Sequence, residues 1–166
     1  DLVQAEIHTC YGGQESQVQM SVALDPVSAE ATRCEAVVDE AYAAGLSAVR
    51  PGASFAHIVH TMEAPIRDAG CWSKTPLLHT LTFGSTGFTA VNRAQIEDLG
   101  EEAWIEGSNT PSIRRGELQM RPGMTLELEP NACLGACRVN IGGAVLVTGS
   151  GAEALNDLST RVHHVT

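Results

Sequence analysis

The first 24 residues alternate between apolar and polar side chains, and this alternation constrains the fold more than any other feature. It runs from Leu2 to Tyr11, is interrupted by GGQES at residues 12–16, and resumes in QVQMSVAL at residues 17–24. Glycines permit the positive backbone angles of a tight turn, so the pattern predicts two antiparallel strands joined as a hairpin. Any fold assigned to this chain therefore has to begin with a β-hairpin.

Two helices are predicted after the hairpin. Asp25-Pro26 ends the sheet, and apolar residues then recur at helical spacing over residues 28–49, with charges on the opposite face. The segment VRPGAS breaks this helix, and Ser54 is the expected N-cap of a second helix that ends near Gly70. Pro65 lies inside the second pattern, where it predicts a kink or an early end of the helix.

The remaining segments favour strands with one polar excursion between them. TPLLHTLTFGSTGF, at residues 75–88, is rich in β-formers, and residues 94–117 indicate a polar excursion with one short helical turn. MTLELEP alternates as a strand, and RVNIGGAVLVTGSG predicts one more strand before a tight turn. The predicted order is β-β-α-α-β-loop-β-β, which is an α+β fold in one domain.

The composition narrows the range of partners. Hydrophobic residues make up 43% of the chain and charged residues 18%, so the chain is not disordered, and no apolar run approaches the roughly 18 residues of a membrane span. The formal net charge of −10 disfavours nucleic acid and anionic membranes, which both require a basic surface. A small molecule or a peptide is the expected partner.

The five cysteines are odd in number and scattered along the sequence. This pattern favours reduced thiols in a cytoplasmic protein over a disulfide framework. Cys133 and Cys137 have a spacing that could hold a metal, but a lone pair of cysteines is a weak zinc signal. We therefore interpret them as small core residues and expect no cofactor.

Three motifs resemble the creatinase/aminopeptidase family, whose fold is called pita-bread and which includes the M24 peptidases. They are VRPGASF at residues 49–55, RPGMTLELEP at residues 121–130 and VLVTGSGAEAL at residues 145–155. The resemblance implies an α+β pita-bread fold in which residues 1–166 form the later part of the domain. It also implies that about the first third of the fold lies upstream of Asp1.

Metallopeptidases of this family hold two divalent ions with two hairpin aspartates, one histidine and two glutamates. By this resemblance the hairpin positions fall at Glu6, which is still a carboxylate, and at Gln17, which is neutral and a poor ligand. Glu129 matches the fourth ligand, whereas the fifth falls at Gly142, which has no side chain. A two-metal site is therefore not expected.

The third ligand position has two possible alignments. His79 lies close to the family motif, but aligning Phe83-Gly84 with the glycine of the family places Leu81 at the ligand position. Both alignments stay open from the sequence alone. With His79 included, at most three of the five ligands remain.

The closest implied relative in character is the metal-free creatinase branch, which hydrolyses a C–N bond. The resemblance implies a metal-independent hydrolase of a small amide, amidine or ureido compound, with Glu129 and His79 as catalytic residues. Glu6, Gln17 and Gln19 would bind the substrate. The alternatives are a noncatalytic module that binds a peptide or a protein and, third, an Xaa-Pro peptidase-like metallohydrolase.

Two expectations concern the surface of the hairpin. His8 is expected on the face opposite Glu6. A domain that begins directly with a strand is also expected to expose an apolar sheet face or an unpaired edge, which favours a homodimer.

Overall fold

The structure is a computed structural model, and it describes residues 1–12, 14–74, 76–81 and 116–166. Two helices and nine strands lie in this described part of the chain. In chain order they are β1 Leu2–Tyr11, β2 Gln14–Leu24, α1 Ala29–Ala48, α2 Phe55–Asp68, β3 Leu78–Thr80, β4 Thr125–Leu128, β5 Asn131–Leu134, β6 Cys137–Asn140, β7 Gly142–Val147, β8 Ala152–Ala154 and β9 His163–Val165.

The predicted hairpin and helices are confirmed, with one difference inside α2. Strands β1 and β2 pair antiparallel along their whole length, from Leu2 opposite Ala23 to Tyr11 opposite Gln14. The predicted N-cap, Ser54, accepts a hydrogen bond from the backbone of His57. The early end at Pro65 is wrong, because the helix continues to Asp68. Packing of fully buried side chains on both sides of the proline offsets the backbone hydrogen bond that it cannot make.

The main sheet brings distant segments of the chain together. Its strand order is β1-β2-β7-β4-β3, with β8 paired to β7 and β9 paired to β2. Strand β7 lies between β2 and β4, so residues from the hairpin and from the LELEP segment become neighbours although they are more than 100 positions apart. This arrangement positions the candidate site.

Both helices pack into one apolar core with the sheet. Glycine is needed at position 45 on α1, because a Cβ atom there would lie 2.6 Å from Cγ of Met62 and 3.2 Å from Cδ2 of Leu128. The close approach lets α1 contact both α2 and the end of β4. The side chain of Leu128 thus points to the helices. The side chains of its neighbours in sequence, Glu127 and Glu129, point to the opposite face of the sheet.

The segment predicted as one strand over residues 138–151 contains two strands. Strand β6 ends at Asn140 and β7 begins at Gly142, because the backbone N–H of Ile141 turns to the carbonyl of Pro130. Strands β5 and β6 form a separate two-stranded sheet, joined by a turn with Gly135 at φ 59°. Sequence periodicity did not predict β5. The predicted excursion over residues 94–117 lies almost entirely outside the described residues.

Strand β1 is an edge of the main sheet and carries exposed apolar side chains, namely Val3, Ile7 and Tyr11. This surface is of the kind expected for a homodimer contact, and the dimer itself stays a prediction. Within the described residues, neither helix is both long and apolar enough to cross a bilayer.

Candidate functional site

The candidate site lies where β2, β7 and the end of β4 meet. In the β1–β2 ladder Gln19 is opposite Glu6, and in the β2–β7 ladder it is opposite Gly142. Directly opposed residues point to the same face of a sheet, so Glu6, Gln17 and Gln19 share one face. Glu129 follows β4 and reaches this face from the other side of β7.

The carboxylate of Glu129 is the centre of the site and is only 5% exposed. Its Oε2 atom accepts hydrogen bonds from Nε2 of Gln19 at 2.6 Å and from Nε2 of Gln17 at 3.3 Å. Its Oε1 atom lies 3.2 Å from Nε2 of His79. Two amide nitrogens therefore donate to Oε2, whereas Oε1 has the ion-pair contact with His79 but no hydrogen bond among the described residues.

His79 lies next to Glu129, whereas Phe83-Gly84, on which the other alignment depends, lie outside the described residues. His79 lies on β3, and its Nδ1 atom is 3.2 Å from the carbonyl oxygen of Thr80. The pKa of His79 is raised above its ordinary value: burial, the largest influence, lowers it, but contacts with Glu129 and the Thr80 carbonyl outweigh burial. Both ring nitrogens thus lie near acceptor oxygens, an arrangement that favours the protonated ring. Leu81 instead has a buried apolar side chain.

The polar cluster extends along the hairpin to the surface. The position of His8 there differs from the prediction. Nε2 of Gln17 also donates to Glu6 at 2.8 Å, and Nε2 of His8 lies 2.8 Å from the same carboxylate oxygen. His8 is therefore on the same face as Glu6, as residues two apart on a strand must be, and the predicted opposite face is wrong. The pKa of His8 is raised, first by its hydrogen bond to Glu15 at 3.0 Å.

Glu127 is a site residue to which sequence reasoning assigned no role. It is 0% exposed, and neither carboxyl oxygen has a hydrogen-bond partner in the described part of the chain. Strand pairing places it opposite His79 and Ala144 on one face. Burial, and then the charges of Glu129 and Glu6, raise the pKa of Glu127 to about 10, so it keeps its proton at neutral pH. The alternation LELE, which puts Glu127 on the face of Glu129, was the available signal.

A second group of missed residues lies behind Gln19. Nδ2 of Asn140 donates to Oε1 of Gln19 at 2.7 Å, and the hydroxyl of Ser21 donates to Oδ1 of Asn140 at 3.2 Å. All of these side chains are buried. No sequence pattern indicates the contact, because Asn140 and Gln19 are far apart in the chain.

The residues present do not fit a pair of divalent cations. A Cβ atom at Gly142 would lie 2.2 Å from the carbonyl oxygen of Leu128 and 2.7 Å from Cα of Glu129, so any side chain there would require the backbone at the end of β4 to shift. The amide of Gln17 places N–H donors between Glu6 and Glu129, where a cation would need oxygen ligands. Across residues 1–12, 14–74, 76–81 and 116–166, no three His, Cys, Asp or Glu side chains are grouped to hold a metal, the cysteines included.

Gly142→Ala tests this steric limit. We expect the substitution to lower the free energy of unfolding by about 3 kcal/mol, because the new Cβ atom meets backbone atoms that cannot rotate away. Urea denaturation measures the loss. The matched control is Gly149→Ala, where a Cβ atom would have nothing within 4 Å. If both variants are equally stable, the end of β4 can move and an acidic residue could be accommodated at position 142.

Comparison with known proteins agrees with this architecture. The sequence profile of metallopeptidase family M24 matches residues 1–149. No curated protein matches the sequence significantly. The dipeptidase PepE from Mycobacterium ulcerans is similar in structure, with 22% identity and a TM-score of 0.74 over 99% of this chain and 40% of that chain.

Two other solved structures give the same result. The X-Pro aminopeptidase from Thermotoga maritima has 17% identity and a TM-score of 0.75, over 99% of this chain and 42% of that one. The methionine aminopeptidase from Rickettsia prowazekii has 17% identity and a TM-score of 0.63, over 93% of this chain and 63% of that one. The chain thus has the pita-bread fold and spans about 40% of the length of the first two proteins.

Proposed function

The chain belongs to metallopeptidase family M24, and from that membership we propose that it is the later part of a metal-independent hydrolase. The proposed reaction is hydrolysis of a C–N bond in a small amide, amidine or ureido compound. In this proposal Glu129 and His79 are the catalytic residues, and Glu6, Gln17 and Gln19 bind the substrate. The proposal adopts the creatinase-like character that the sequence resemblance implies.

One observation carries the proposal. The carboxylate of Glu129 is buried and lies 3.2 Å from the imidazole of His79, while two glutamine amides hold it in place. A buried acid beside a histidine whose pKa is raised is a pair suited to proton transfer at neutral pH. Such a pair can act without a metal.

The pair supports a simple sequence of proton transfers. Glu129 takes a proton from a water molecule as the water oxygen attacks the carbon of the C–N bond. His79 gives its Nε2 proton to the departing nitrogen, so the C–N bond breaks and an amine or ammonia leaves. The proton on Glu129 then returns the pair to its starting state by passing to His79. The amides of Gln17 and Gln19 keep the Glu129 carboxylate in position throughout.

A peptide substrate is the second candidate. Structures similar to this one include an X-Pro aminopeptidase and an Xaa-Pro dipeptidase from Bacillus anthracis, which match the third interpretation of the sequence. Cleavage of a peptide here would also depend on Glu129 and His79, because Gly142 and Gln17 disfavour a two-metal centre. A noncatalytic peptide-binding module stays the alternative if no hydrolysis is found.

The test is an activity screen of the purified full-length protein that contains this chain. We expect release of ammonia or amine from at least one member of a panel of small amides, amidines, ureido compounds and Xaa-Pro dipeptides. Elemental analysis should find no stoichiometric Mn, Co or Zn, and the rate should be unchanged after dialysis against a chelator. Tightly bound metal, or activity that chelation removes and metal restores, would overturn the proposal.

A further inference from the structure

Four buried polar side chains form a continuous hydrogen-bond chain that ends at Glu129. The hydroxyl of Ser21 lies 3.2 Å from Oδ1 of Asn140, and Nδ2 of Asn140 lies 2.7 Å from Oε1 of Gln19. Nε2 of Gln19 then donates to Glu129 at 2.6 Å. The chain crosses from β6 to β2 and on to the end of β4, so it joins three separate segments.

The direction of this chain is fixed by the chemistry of its members. An ionised carboxylate only accepts hydrogen bonds, so Gln19 must turn its NH₂ group to Glu129. The carbonyl oxygen of Gln19 then faces Asn140, which must donate a hydrogen bond to it from its own NH₂ group. The side-chain oxygen of Asn140 then faces the hydroxyl of Ser21, whose single proton is shared between this oxygen at 3.2 Å and the Asn140 carbonyl oxygen at 2.8 Å. Each amide is thus held in one of its two possible orientations.

We propose that Asn140 is a positioning residue, which orients the Gln19 amide so that an N–H group, and not a carbonyl oxygen, faces Glu129. This inference rests on the proposed function, because it assigns Asn140 to the site in which Glu129 acts. Among the described hydrogen bonds Asn140 has none to Glu129 or His79, and it acts through Gln19. In this proposal the oriented amides of Gln19 and Asn140 stabilise the negative charge of Glu129, which a bound cation would otherwise neutralise.

The backbone around Asn140 is held independently of its side chain. The backbone N–H of Asn140 donates to the hydroxyl of Ser21 at 3.1 Å, and the Ser21 hydroxyl lies 2.8 Å from the Asn140 carbonyl oxygen. A change confined to the side-chain amide therefore leaves these contacts in place. Asn140→Asp is such a change, since it has nearly the same shape but replaces the NH₂ donor with an acceptor.

The matched control is Asn131→Asp. Asn131 is directly opposite Asn140 in the β5–β6 ladder and is equally buried, with 2% of its surface exposed for each residue. Its side chain bonds only to the backbone of Lys74 and to Cys133 among the described contacts, and not to Gln19 or Glu129. The control carries the same chemical change on the same hairpin without the link to the site.

The experiment compares the two variants with the wild-type full-length protein. We expect Asn140→Asp to lower kcat about tenfold to a hundredfold with a smaller change in KM, because a hydrogen bond to a charged catalytic group is lost. The side-chain amide protons of Gln19, observed by ¹H–¹⁵N NMR, should lose the downfield shift and slow exchange of a proton bonded to a carboxylate. Asn131→Asp should leave both the Gln19 signals and kcat unchanged, whatever stability it loses.

A second variant guards against a folding failure of the first. Asn140→Ala removes the donor without adding an acceptor and should also release the Gln19 amide, with a smaller loss of kcat. Unchanged Gln19 signals in a folded Asn140 variant, or equal changes in the Asn131 control, would overturn the inference. The NMR signals need no substrate, so they decide this inference even if the wild-type protein hydrolyses nothing and the proposed function fails.

Discussion

Glu129→Gln should lower kcat/KM for C–N hydrolysis by about 10²- to 10⁴-fold, the range that a positioned acid–base group contributes. The neutral amide cannot take a proton from water, and His79 loses the negative partner that lies 3.2 Å from it. The shape of the side chain is nearly unchanged. The free energy of unfolding should therefore change by about 1 kcal/mol or less.

The control for this substitution is Glu153→Gln, on the exposed face of β8. It makes the same chemical change outside the site and should alter neither kcat/KM nor stability. Steady-state kinetics and thermal unfolding, measured on the same preparations, separate the two effects. If Glu129→Gln keeps full activity and ligand affinity, or if it unfolds the domain, the segment LELEP keeps only the shape of an active site.

Local patterns in the sequence predict most of the elements around the site. The hairpin, both helices and strand β4 follow from periodicity, since the apolar residues of each segment recur in the sequence at the interval of a strand or a helix. Strand β5 is missed because its four residues are nearly all buried and show no alternation. The break at Ile141 is also missed, since it depends on a backbone contact with Pro130 that no local pattern records.

The residues of the candidate site are likewise predicted from the sequence only in part. The sequence resemblance brings together Glu6, Gln17, Gln19, His79 and Glu129, and the structure places all five in one connected cluster. It cannot indicate Asn140, whose contact with Gln19 depends on how β6 crosses β2. The resemblance places the fifth ligand position of the family at Gly142. That a side chain there would meet backbone atoms of Leu128 and Glu129 is visible only in the structure.

Glu127→Gln should raise the free energy of unfolding by about 3 kcal/mol at pH 7. The pKa of Glu127 is raised to about 10 in the folded protein from an ordinary value of 4.5, mainly by burial and then by Glu129. At pH 7 the folded protein must hold a proton that the unfolded chain releases, and the 2.5 pH units above 4.5 correspond to about 3 kcal/mol. Glutamine resembles the protonated acid and needs no proton.

The sign of the pH dependence follows from the same linkage. Between the unfolded pKa of 4.5 and the folded pKa of about 10, the folded state binds one more proton than the unfolded state, so the contribution of Glu127 to stability falls as the pH rises. Urea denaturation at several pH values should show the gap between wild type and Glu127→Gln widening from about pH 5 to pH 8. Glu153→Gln should show no such gap. Parallel curves for wild type and Glu127→Gln would mean that Glu127 finds a partner that stabilises its charge.

A buried acid that destabilises the protein is difficult to explain by packing alone. Leucine or glutamine at position 127 would satisfy the same space on β4 at a lower cost in free energy. Glu127 is directly opposite His79 in the strand ladder and two residues before Glu129, so it shares the sheet face of the polar cluster although it makes no hydrogen bond to it. Proteins tolerate such groups where a site requires them. The stability gained by Glu127→Gln therefore measures what the chain gives up to keep a protonated carboxyl group beside the His79–Glu129 pair.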